Sequence, residues 1–415
     1  MSTRPRTEYF VGIDIGTAKV AALIGEAQQE GTVRVLGLGQ KPCAGGLKRG
    51  VVVNVEATVE AIRAAVEAAE LMANCHVRSA HVSITGSHIR SRDSLGVLPI
   101  RRGEVSRNDV LDVIDVAQTV AIPADREILH VLEQEFVVDG QGGIHEPAGI
   151  RAVRLEAKVH IVTGALSPAQ DLRRCVERCG LVAEKLVLAP LASAEAVLQR
   201  DERELGVCVV DIGAGTSDIA VYHDGAVRHT AVLPIGGDQV TNDIAVAFRT
   251  PTHHAEVLKK EHGCTRCDAS DAAVDDLDLP GGSDTARRTV SRQMLAEVMR
   301  PRLVEMLRYV REELYRADAY RLVAGGVVLT GGVARTRGLV ELAEEVFELP
   351  VRVGTSLRVD GPEGMKDDPS LATGEGLLLF ALEQQPQEGG RRVGGASGGV
   401  QRWMGRTRQW IAGHL

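Results

Sequence analysis

The sequence predicts an α/β protein with several domains, for three reasons. At 415 residues the chain is too long for one ordinary hydrophobic core. Short runs rich in Val, Ile and Leu alternate with segments whose apolar residues recur at helical spacing. A hairpin with Asp-Ile-Gly at its tip occurs twice, about 200 residues apart, which indicates an internal repeat.

The composition favours a cytoplasmic globular protein. Hydrophobic residues make up 44% of the chain and charged residues 25%, but aromatics only 3%, so the cores must be built from Val, Leu, Ile and Ala. No apolar run approaches the roughly 18–20 residues needed to cross a bilayer, and the N-terminus has no apolar signal segment. The net charge of −8 argues against nucleic-acid binding by counterion release.

The seven cysteines are scattered, as is typical of free thiols in a reducing compartment. Cys264 and Cys267 have C-x-x-C spacing, and Cys175 and Cys179 form a looser pair. A zinc site would need the two pairs to meet, or nearby histidines to join one of them. We therefore interpret these cysteines as surface or half-buried thiols.

The first half of the chain alternates strands and helices. Residues 9–26 form two β runs joined by a tight turn at Ile15–Lys19, and an Ala-rich helix follows at Glu56–Ala73. The stretch "RSAHVSITG" is the next strand. Residues 87–164 hold a helix capped by Ser106 and the strand-like runs "REILHVLEQEFVVDG" and "VRLEAKVHIVTG".

The second half begins with a helix for which Ser167 is the predicted N-cap. The second Asp-Ile-Gly hairpin lies at 206–222. A polar, Asp-rich stretch at 265–285 is predicted as a loop, and residues 286–318 as a long helix interrupted at Pro301.

The two hairpins carry the chemistry of a phosphate site. Glycines at the tips allow backbone N–H groups to close around an anion. Thr17 and Thr216 add hydroxyl donors, and Lys19 can neutralise phosphate charge. Asp14 and Asp211 end their strands, where carboxylates can hold Mg²⁺ through its waters. One such turn alone would be read as an ordinary hairpin, but two copies favour a clamp around a triphosphate.

A third element supports a nucleotide. The stretch "VVLTGGVART" is a strand followed by Gly331 and Gly332, which let the backbone lie against a base or ribose. The chain has no Walker pattern, and "GAGTSD" lacks the third glycine of the dinucleotide fingerprint. A nucleotide would therefore be held by the two hairpins.

These elements, in this order, resemble the superfamily of actin, the heat-shock ATPase chaperones and the sugar kinases. The stretch "ILHVLEQEFVVDGQGGIHEPAGIRAVRLEAKVHIVTG" is more specific and resembles the FtsA family of bacterial division proteins, as do "LASAEAVL" and "ERELGVCVVDIGAGTSDIAVY". The resemblance implies an actin-like ATPase fold with two lobes, each a central mixed sheet flanked by helices. A subdomain 1C replaces the usual 1B.

The resemblance also implies subdomain boundaries. They are 1–86 and 165–200 with the helix at about 366–382 for 1A, 87–164 for 1C, 201–240 and 311–365 for 2A, 241–310 for 2B, 383–399 for a flexible linker and 400–415 for a membrane-targeting helix.

The resemblance also implies which residues bind ATP, because each family motif has a matching stretch in this sequence. The implied ATP-binding residues are Asp14, Gly16, Thr17 and Lys19 in the first phosphate loop, Asp211, Gly213, Gly215, Thr216 and Asp218 in the second, Gly236 and Gly237 after the next strand, Glu256 and Lys259 at the ribose and adenine, and Gly331 and Gly332 in the adenosine motif. Mg²⁺ is expected at Asp14 and Asp211, through water.

The resemblance implies partners as well. The family self-associates into filaments and tethers FtsZ at the cytoplasmic face of the inner membrane, at the division septum. Arg302, in the 2B segment, is the candidate to pair with the acidic C-terminal peptide of FtsZ, although a solvated helix charge is the alternative. Further division proteins are expected to bind subdomain 1C.

Two positions depart from the superfamily pattern. Ala214 stands where many relatives have a third glycine, and its methyl is tolerable if its φ stays negative. Ala189 precedes Pro190 where chaperone-like and MreB-like relatives place a carboxylate, so no general base is supplied there. We expect a slow ATPase at most, with ATP acting mainly as a conformational and assembly ligand.

The C-terminal stretch "VQRWMGRTRQWIAGHL" differs from the acidic body. From residue 391 onward there are five arginines and no acid, and both tryptophans of the chain lie here. On a helix, an apolar stripe would oppose a basic face, which is typical of helices that lie in a membrane interface and bind anionic lipid. The predicted membrane-binding residues are Arg402, Trp403, Met404, Arg406, Arg408, Trp410 and Ile411.

The alternatives are an MreB-like filament, a pilus-assembly relative and a small-molecule kinase of the same fold. MreB-like chains are shorter and lack the block at 87–164. A kinase would need an acceptor cleft with a catalytic Asp, for which the sequence offers no second motif, and it would have no use for the amphipathic tail.

Overall fold

The computed structural model describes residues 9–28, 31–266, 276–279 and 288–384. The part of the predicted 383–399 linker from residue 385 onward, the predicted amphipathic helix at 400–415 with its predicted membrane-binding residues, and Cys267 lie outside these ranges. No helix within the described ranges is both long and apolar enough to span a membrane.

Strands supply the centre of each lobe. In chain order the described strands are β1 (Tyr9–Ile15), β2 (Lys19–Ala27), β3 (Val33–Pro42), β4 (Leu47–Lys48), β5 (Val51–Val52), β6 (Ser79–Ile84), β7 (Arg90–Pro99), β8 (Arg126–Val138), β9 (Gln141–Ile144), β10 (Arg154–Ala165), β11 (Val182–Leu188), β12 (Val207–Ile212), β13 (Ser217–His223), β14 (Ala226–Leu233), β15 (Asp276–Leu279), β16 (Arg288–Ser291), β17 (Val327–Thr330), β18 (Val351–Val353) and β19 (Val359–Asp360).

The two central sheets repeat one topology. In lobe I the strand order is β11-β6-β1-β2-β3-β19, and in lobe II it is β14-β13-β12-β17-β18. Each sheet contains an antiparallel meander of three strands, β1-β2-β3 in lobe I and β12-β13-β14 in lobe II. The first strand of each meander also pairs in parallel with a later strand, β1 with β6 and β12 with β17. The repeat that the two hairpins indicate in the sequence is therefore a repeat of whole sheets.

Helices cover these sheets. The described helices are α1 (Val55–Ala73), α2 (Arg107–Gln118), α3 (Leu166–Glu177), α4 (Ala189–Val197), α5 (Arg200–Leu205), α6 (Gly237–Phe248), α7 (Thr252–His262), α8 (Arg292–Arg316), α9 (Leu339–Phe347) and α10 (Ala372–Glu383). The bounds of α1 follow from its caps, because Asn54 accepts a hydrogen bond from Ala57 N and Asn74 ends the helix in the left-handed conformation.

Between β6 and α3 the chain builds a separate unit. Strands β7-β10-β8-β9 form an antiparallel sheet, and α2 packs on it. Ser106 and Asp109 form the predicted capping box of α2. This inserted sheet has its own buried cluster, which includes Val113, Ile114 and Leu155.

The N-cap prediction at Ser167 is wrong. Helix α3 begins at Leu166, with Ala165 as a cap that makes no side-chain hydrogen bond. Strand β10 runs directly into the helix, and Leu166 N donates instead to the carbonyl of Asp125 at 2.8 Å. Tertiary structure thus supplies the acceptor that a capping side chain would otherwise provide.

Two predictions around the second lobe's helical segment need correction. The stretch at 265–285 is not all loop, since β15 lies within it and pairs with β16. The long helix begins at Arg292 rather than at 286 and continues through Pro301 without interruption. Apolar residues on both sides of the proline, such as Met299 and Leu303, are buried in the core of lobe II and hold the helix together.

Candidate functional site

The tips of the two central hairpins are closed by equivalent backbone hydrogen bonds. Gly16 N donates to Lys19 O at 3.0 Å, and Gly213 N donates to Thr216 O at 2.9 Å. The two bonds close equivalent turns, the first at the end of β1 and the second at the end of β12. The repeat in the sequence is therefore also a repeat of the turn that ends each hairpin.

The tips face each other across the boundary between the lobes. A Cβ added to Gly215 would lie 2.7 Å from Thr17 Oγ1 and 3.0 Å from the backbone of Arg49. Gly50 N donates to Thr17 Oγ1 at 3.3 Å. The small β4–β5 hairpin, which the sequence analysis did not single out, thus lies against both tips.

Asp14 lies at the base of the first tip. Its Oδ1 accepts from Ser83 Oγ at 2.7 Å, and Ser83 Oγ accepts in turn from Ile15 N at 3.0 Å. Burial raises the pKa of Asp14 to about 6, with a further contribution from the negative charge of Asp211, against the opposing effects of the Ser83 hydrogen bond and Lys19.

Asp218 connects the lobes. Its carboxylate accepts from Thr85, which follows β6 in lobe I, and from Thr216 Oγ1 at 2.9 Å in its own loop. Burial raises its pKa to about 7, and the charge of Asp211 adds to the effect. A hydrogen bond therefore joins the second tip to the opposite lobe.

Asp211 is enclosed by hydroxyl groups. Its Oδ2 accepts from Ser193 Oγ at 2.6 Å and from Thr373 Oγ1 at 2.8 Å. Burial raises its pKa, while these two hydrogen bonds and the charge of Lys19 oppose that shift.

Lys19 extends from the first tip across the cleft between the lobes to Ser370, just before α10. Its Nζ donates to Ser370 Oγ at 2.8 Å and to Gln40 Oε1 at 3.0 Å. Burial lowers its pKa, while the carboxylates of Asp368 and Asp14 oppose that change.

The first residues of α6 pack on the second tip and donate hydrogen bonds to it. Gly237 N donates to Gly213 O at 2.9 Å, and Asp238 N donates to Ala214 O at 2.8 Å. A Cβ on Gly236 would lie 2.6 Å from Ala214 O, so this approach requires glycine. Ala214 is not among the described residues with positive φ, so its methyl group fits without backbone strain.

Glu256 and Lys259 meet on α7 beside this turn. Lys259 Nζ lies 2.6 Å from Glu256 Oε2 and donates to Thr241 Oγ1 at 2.7 Å and to Gly237 O at 3.0 Å. The two residues therefore lie at the glycine pair that begins α6.

The remaining glycine pair follows β17. Gly331 has φ +82°, and a Cβ there would lie 2.3 Å from Asp211 Oδ1. Gly332 faces open space, since a Cβ there would meet only Ser370 Cβ at 4.0 Å. Gly331 thus permits close packing on Asp211, and Gly332 leaves open space beside it.

The carboxylates of Asp14 and Asp211 could bind a metal ion whose other ligands are water and phosphate. Asp14 and Asp211 are buried near each other, and the charge of Asp211 raises the pKa of Asp14. Within the described ranges no group of three or more His, Cys, Asp or Glu side chains is placed to hold a metal ion directly. Mg²⁺ retains several waters and takes one or two carboxylates, so the pair fits it.

Arg302 lies on α8, beside rather than within this cleft. Its Nε donates to Asp243 Oδ2 at 2.6 Å, and its other nitrogens contact Asp243 and Glu305. These carboxylates raise the pKa of the guanidinium above its ordinary value. Arg302 also lines a hollow that reaches Arg49 and Gly215.

The sequence analysis missed the hydroxyl groups that hold the three carboxylates. They are Ser83, Thr85, Ser193 and Thr373. One signal was available, because α4 and α10 consist mostly of apolar and small residues. A hydroxyl in such a helix needs a hydrogen-bond partner.

The sequence is similar to known division proteins. Residues 208–376 match the family model "Cell division protein FtsA", and residues 86–163 match "SHS2 domain inserted in FTSA". The chain is 47% identical over 410 residues to the cell division protein FtsA of Pseudomonas aeruginosa, covering 98% of each chain. It is 40% identical over 409 residues to that of Escherichia coli K12, covering 97% of each.

Solved structures share the fold. The PilM-PilN type IV pilus biogenesis complex aligns with a TM-score of 0.64 at 18% identity, over 92% of this chain and 100% of that one. MreB5 of Spiroplasma citri bound to ADP aligns with a TM-score of 0.55 at 15% identity, over 91% and 97%. The predicted actin-like ATPase fold with an inserted domain is confirmed, and the family model describes that domain as SHS2.

Proposed function

Because this chain belongs to the FtsA family of bacterial cell division proteins, we propose that it binds ATP with Mg²⁺ between its lobes, assembles into filaments and tethers FtsZ filaments to the cytoplasmic membrane. The observation that carries ATP binding is the pair of hairpin tips, closed by equivalent hydrogen bonds, that face each other between the lobes with Thr17 opposite Gly215. Backbone N–H groups on both tips and Lys19 are available to a triphosphate. The relatives named FtsA are far more similar in sequence than the pilus and MreB proteins, which favours this function over the two filament alternatives.

Each part of the cleft has a role in this proposal. Bound Mg²⁺ would neutralise phosphate charge, and Asp14 and Asp211 would orient its waters. Lys19 would leave Ser370 and Gln40 for the phosphates. Glu256 and Lys259 would hold the ribose and adenine, next to Gly331 and Gly332.

Slow hydrolysis is part of the same proposal. Helix α4 begins at Ala189, so the position of the expected general base carries a methyl group. ATP then serves mainly to hold the lobes in the conformation that assembles. A steady-state assay in which the pure protein releases phosphate rapidly would contradict this.

Co-sedimentation with FtsZ and anionic liposomes, with and without ATP, tests the tethering function. We expect the full chain to bring FtsZ to the lipid pellet, and to do so better with ATP. The control is a chain that ends after Gln384, which keeps α10 whole and removes the amphipathic segment. Equal pelleting of both chains would show that the tail is not the anchor, and failure to recruit FtsZ in any nucleotide state would rule out the tether.

A further inference from the structure

The carboxylate of Asp211 is held by two helices that come from elsewhere in the chain. Asp211 is the penultimate residue of the central strand β12 of lobe II, whereas Ser193 lies on α4 and Thr373 on α10. Both hydroxyls reach the same oxygen, Oδ2, at 2.6 and 2.8 Å, and they lie 2.9 Å from each other. The arrangement is a triangle of three oxygen atoms.

The triangle is closed to solvent. Ser193 is 0% exposed, Thr373 6% and Asp211 7%, so water has little access to replace a lost hydrogen bond. Each hydroxyl carries one hydrogen, and both hydrogens are available to the carboxylate. Removing one hydroxyl would leave Oδ2 with a single donor in a buried position, which is costly for a charged group.

The two donors are fixed in place by close helix packing. A Cβ on Gly376 of α10 would lie 1.7 Å from the carbonyl oxygen of Ala192 on α4, so the backbones touch at this point. Ser193 directly follows Ala192, and Thr373 lies three residues before Gly376. The hydroxyl positions are therefore set by rigid elements rather than by a loop.

The other oxygen of the carboxylate is constrained as well. Asp211 Oδ1 lies where a Cβ on Gly331 would be only 2.3 Å away, so the glycine pair of the adenosine motif packs directly on it. Hydroxyls on one side and Gly331 on the other leave the carboxylate one orientation. Because Ser193 and Thr373 both donate to Oδ2, Oδ1 is the oxygen left to hold a water ligand of a metal ion.

We propose that Ser193 and Thr373 are positioning residues, which orient Asp211 toward the metal ion that accompanies the nucleotide. The inference rests on the proposed binding of ATP with Mg²⁺. It predicts that the two hydroxyls contribute to nucleotide affinity only through the metal, because neither reaches the cleft itself in this arrangement.

The test compares the ATP dissociation constant in Mg²⁺ and in EDTA by isothermal titration calorimetry. Thr373→Val keeps the shape of the side chain and removes the hydroxyl, while Thr373→Ser keeps the hydroxyl and serves as the matched control. We expect Thr373→Val to weaken binding in Mg²⁺ by about 5- to 10-fold and to leave binding in EDTA within about twofold. Thr373→Ser should behave like the wild type. Ser193→Ala gives an independent measurement if Thr373→Val does not fold.

Two results would overturn the proposal. In one, the variants retain the full effect of Mg²⁺. In the other, they lose affinity equally with and without metal, which would give the hydroxyls a purely structural role. A wild-type chain that binds no ATP, or binds it without any effect of Mg²⁺, would instead refute the proposed function itself, so the two failures can be told apart.

Discussion

Gly215 of lobe II packs directly on Thr17 of lobe I, so that a Cβ on the glycine would lie 2.7 Å from the threonine hydroxyl oxygen. The two hairpin tips therefore lie in close contact at this point. Backbone atoms of Arg49, at 3.0 Å, bound the same space and cannot rotate away as a side chain would. The distance between the tips is therefore set by the absence of a side chain at position 215.

Gly215→Ala should consequently weaken ATP binding. The added methyl group must push the tips apart, and backbone N–H groups on both sides would no longer reach one triphosphate. We expect the dissociation constant to rise by about tenfold or more, measured by titration calorimetry. Gly142→Ala is the control, since its Cβ would meet only the ends of side chains, at 3.3 Å or more. Unchanged affinity in Gly215→Ala would mean that the tips do not hold the ligand together.

The crossing of α4 and α10 gives a second prediction. Gly376→Ala places a methyl group 1.7 Å from the Ala192 carbonyl oxygen, which belongs to the backbone and cannot yield without moving a helix. We expect a loss of about 3 kcal/mol or more in the free energy of unfolding. Gly374→Ala is the matched control on the same helix, because its Cβ would meet Leu23 Cδ1 at 2.6 Å, the end of a movable side chain. Urea unfolding measures the stability of both variants. Equal losses would show that the clash with the Ala192 backbone is not the cause of the destabilisation.

These examples show what the sequence could and could not predict. The hairpin tips were predictable because their chemistry is local: glycine, aspartate and threonine lie within a few residues of each other. The carboxylate partners of the hydroxyl groups were not predictable, because Ser83 and Asp14 are 69 positions apart in the chain and Thr373 and Asp211 are 162 apart. These hydrogen bonds form only when the packing of sheets and helices brings distant parts of the chain together.

At Pro301 the sequence predicts a helix break that the structure does not contain. The local rule predicts a break, since proline cannot donate its backbone hydrogen bond inside a helix. The buried face of α8 runs past the proline on both sides and favours one continuous helix. Tertiary packing thus outweighs a local preference that was correctly identified in the sequence.

Glu375 gives a prediction for the dependence of stability on pH. It is 1% exposed, its Oε1 has no hydrogen-bond partner, and burial, followed by the charge of Asp368, raises its pKa to about 8. In the unfolded chain the pKa is near 4.5, so the folded state binds the proton more tightly. Its contribution to stability is therefore complete below pH 4.5 and is lost as the pH rises toward about 8.

Glu375→Gln should remove this loss, since glutamine is neutral at every pH and similar in shape. Relative to the wild type, the variant should gain about 2–4 kcal/mol between about pH 5 and about pH 9, measured by urea unfolding. Glu261→Gln, at a carboxylate whose side chain is 65% exposed, is the control. A stability difference that does not grow with pH would show that Glu375 is ionised in the folded protein.

Arg302 and Asp243 give the last prediction, which concerns the proposed contact with FtsZ. The guanidinium makes two hydrogen bonds to the Asp243 carboxylate, at 2.6 and 3.1 Å, and the side chains are 30% and 27% exposed. An acidic peptide that binds Arg302 must therefore compete with Asp243, and with Glu305, which also contacts the guanidinium. Removing the Asp243 charge should strengthen binding of the peptide, whereas removing Arg302 should weaken it.

We expect Asp243→Asn to lower the dissociation constant for the FtsZ C-terminal peptide by about 3- to 10-fold, and Arg302→Ala to raise it by a similar factor. Arg300→Ala is the matched control, because Arg300 lies on the same helix and pairs with Glu345 instead. Fluorescence anisotropy with a labelled peptide at low and high salt measures all three. If Asp243→Asn weakens binding, Asp243 is itself part of the peptide site, and if neither substitution matters, Arg302 is the solvated helix charge of the alternative interpretation.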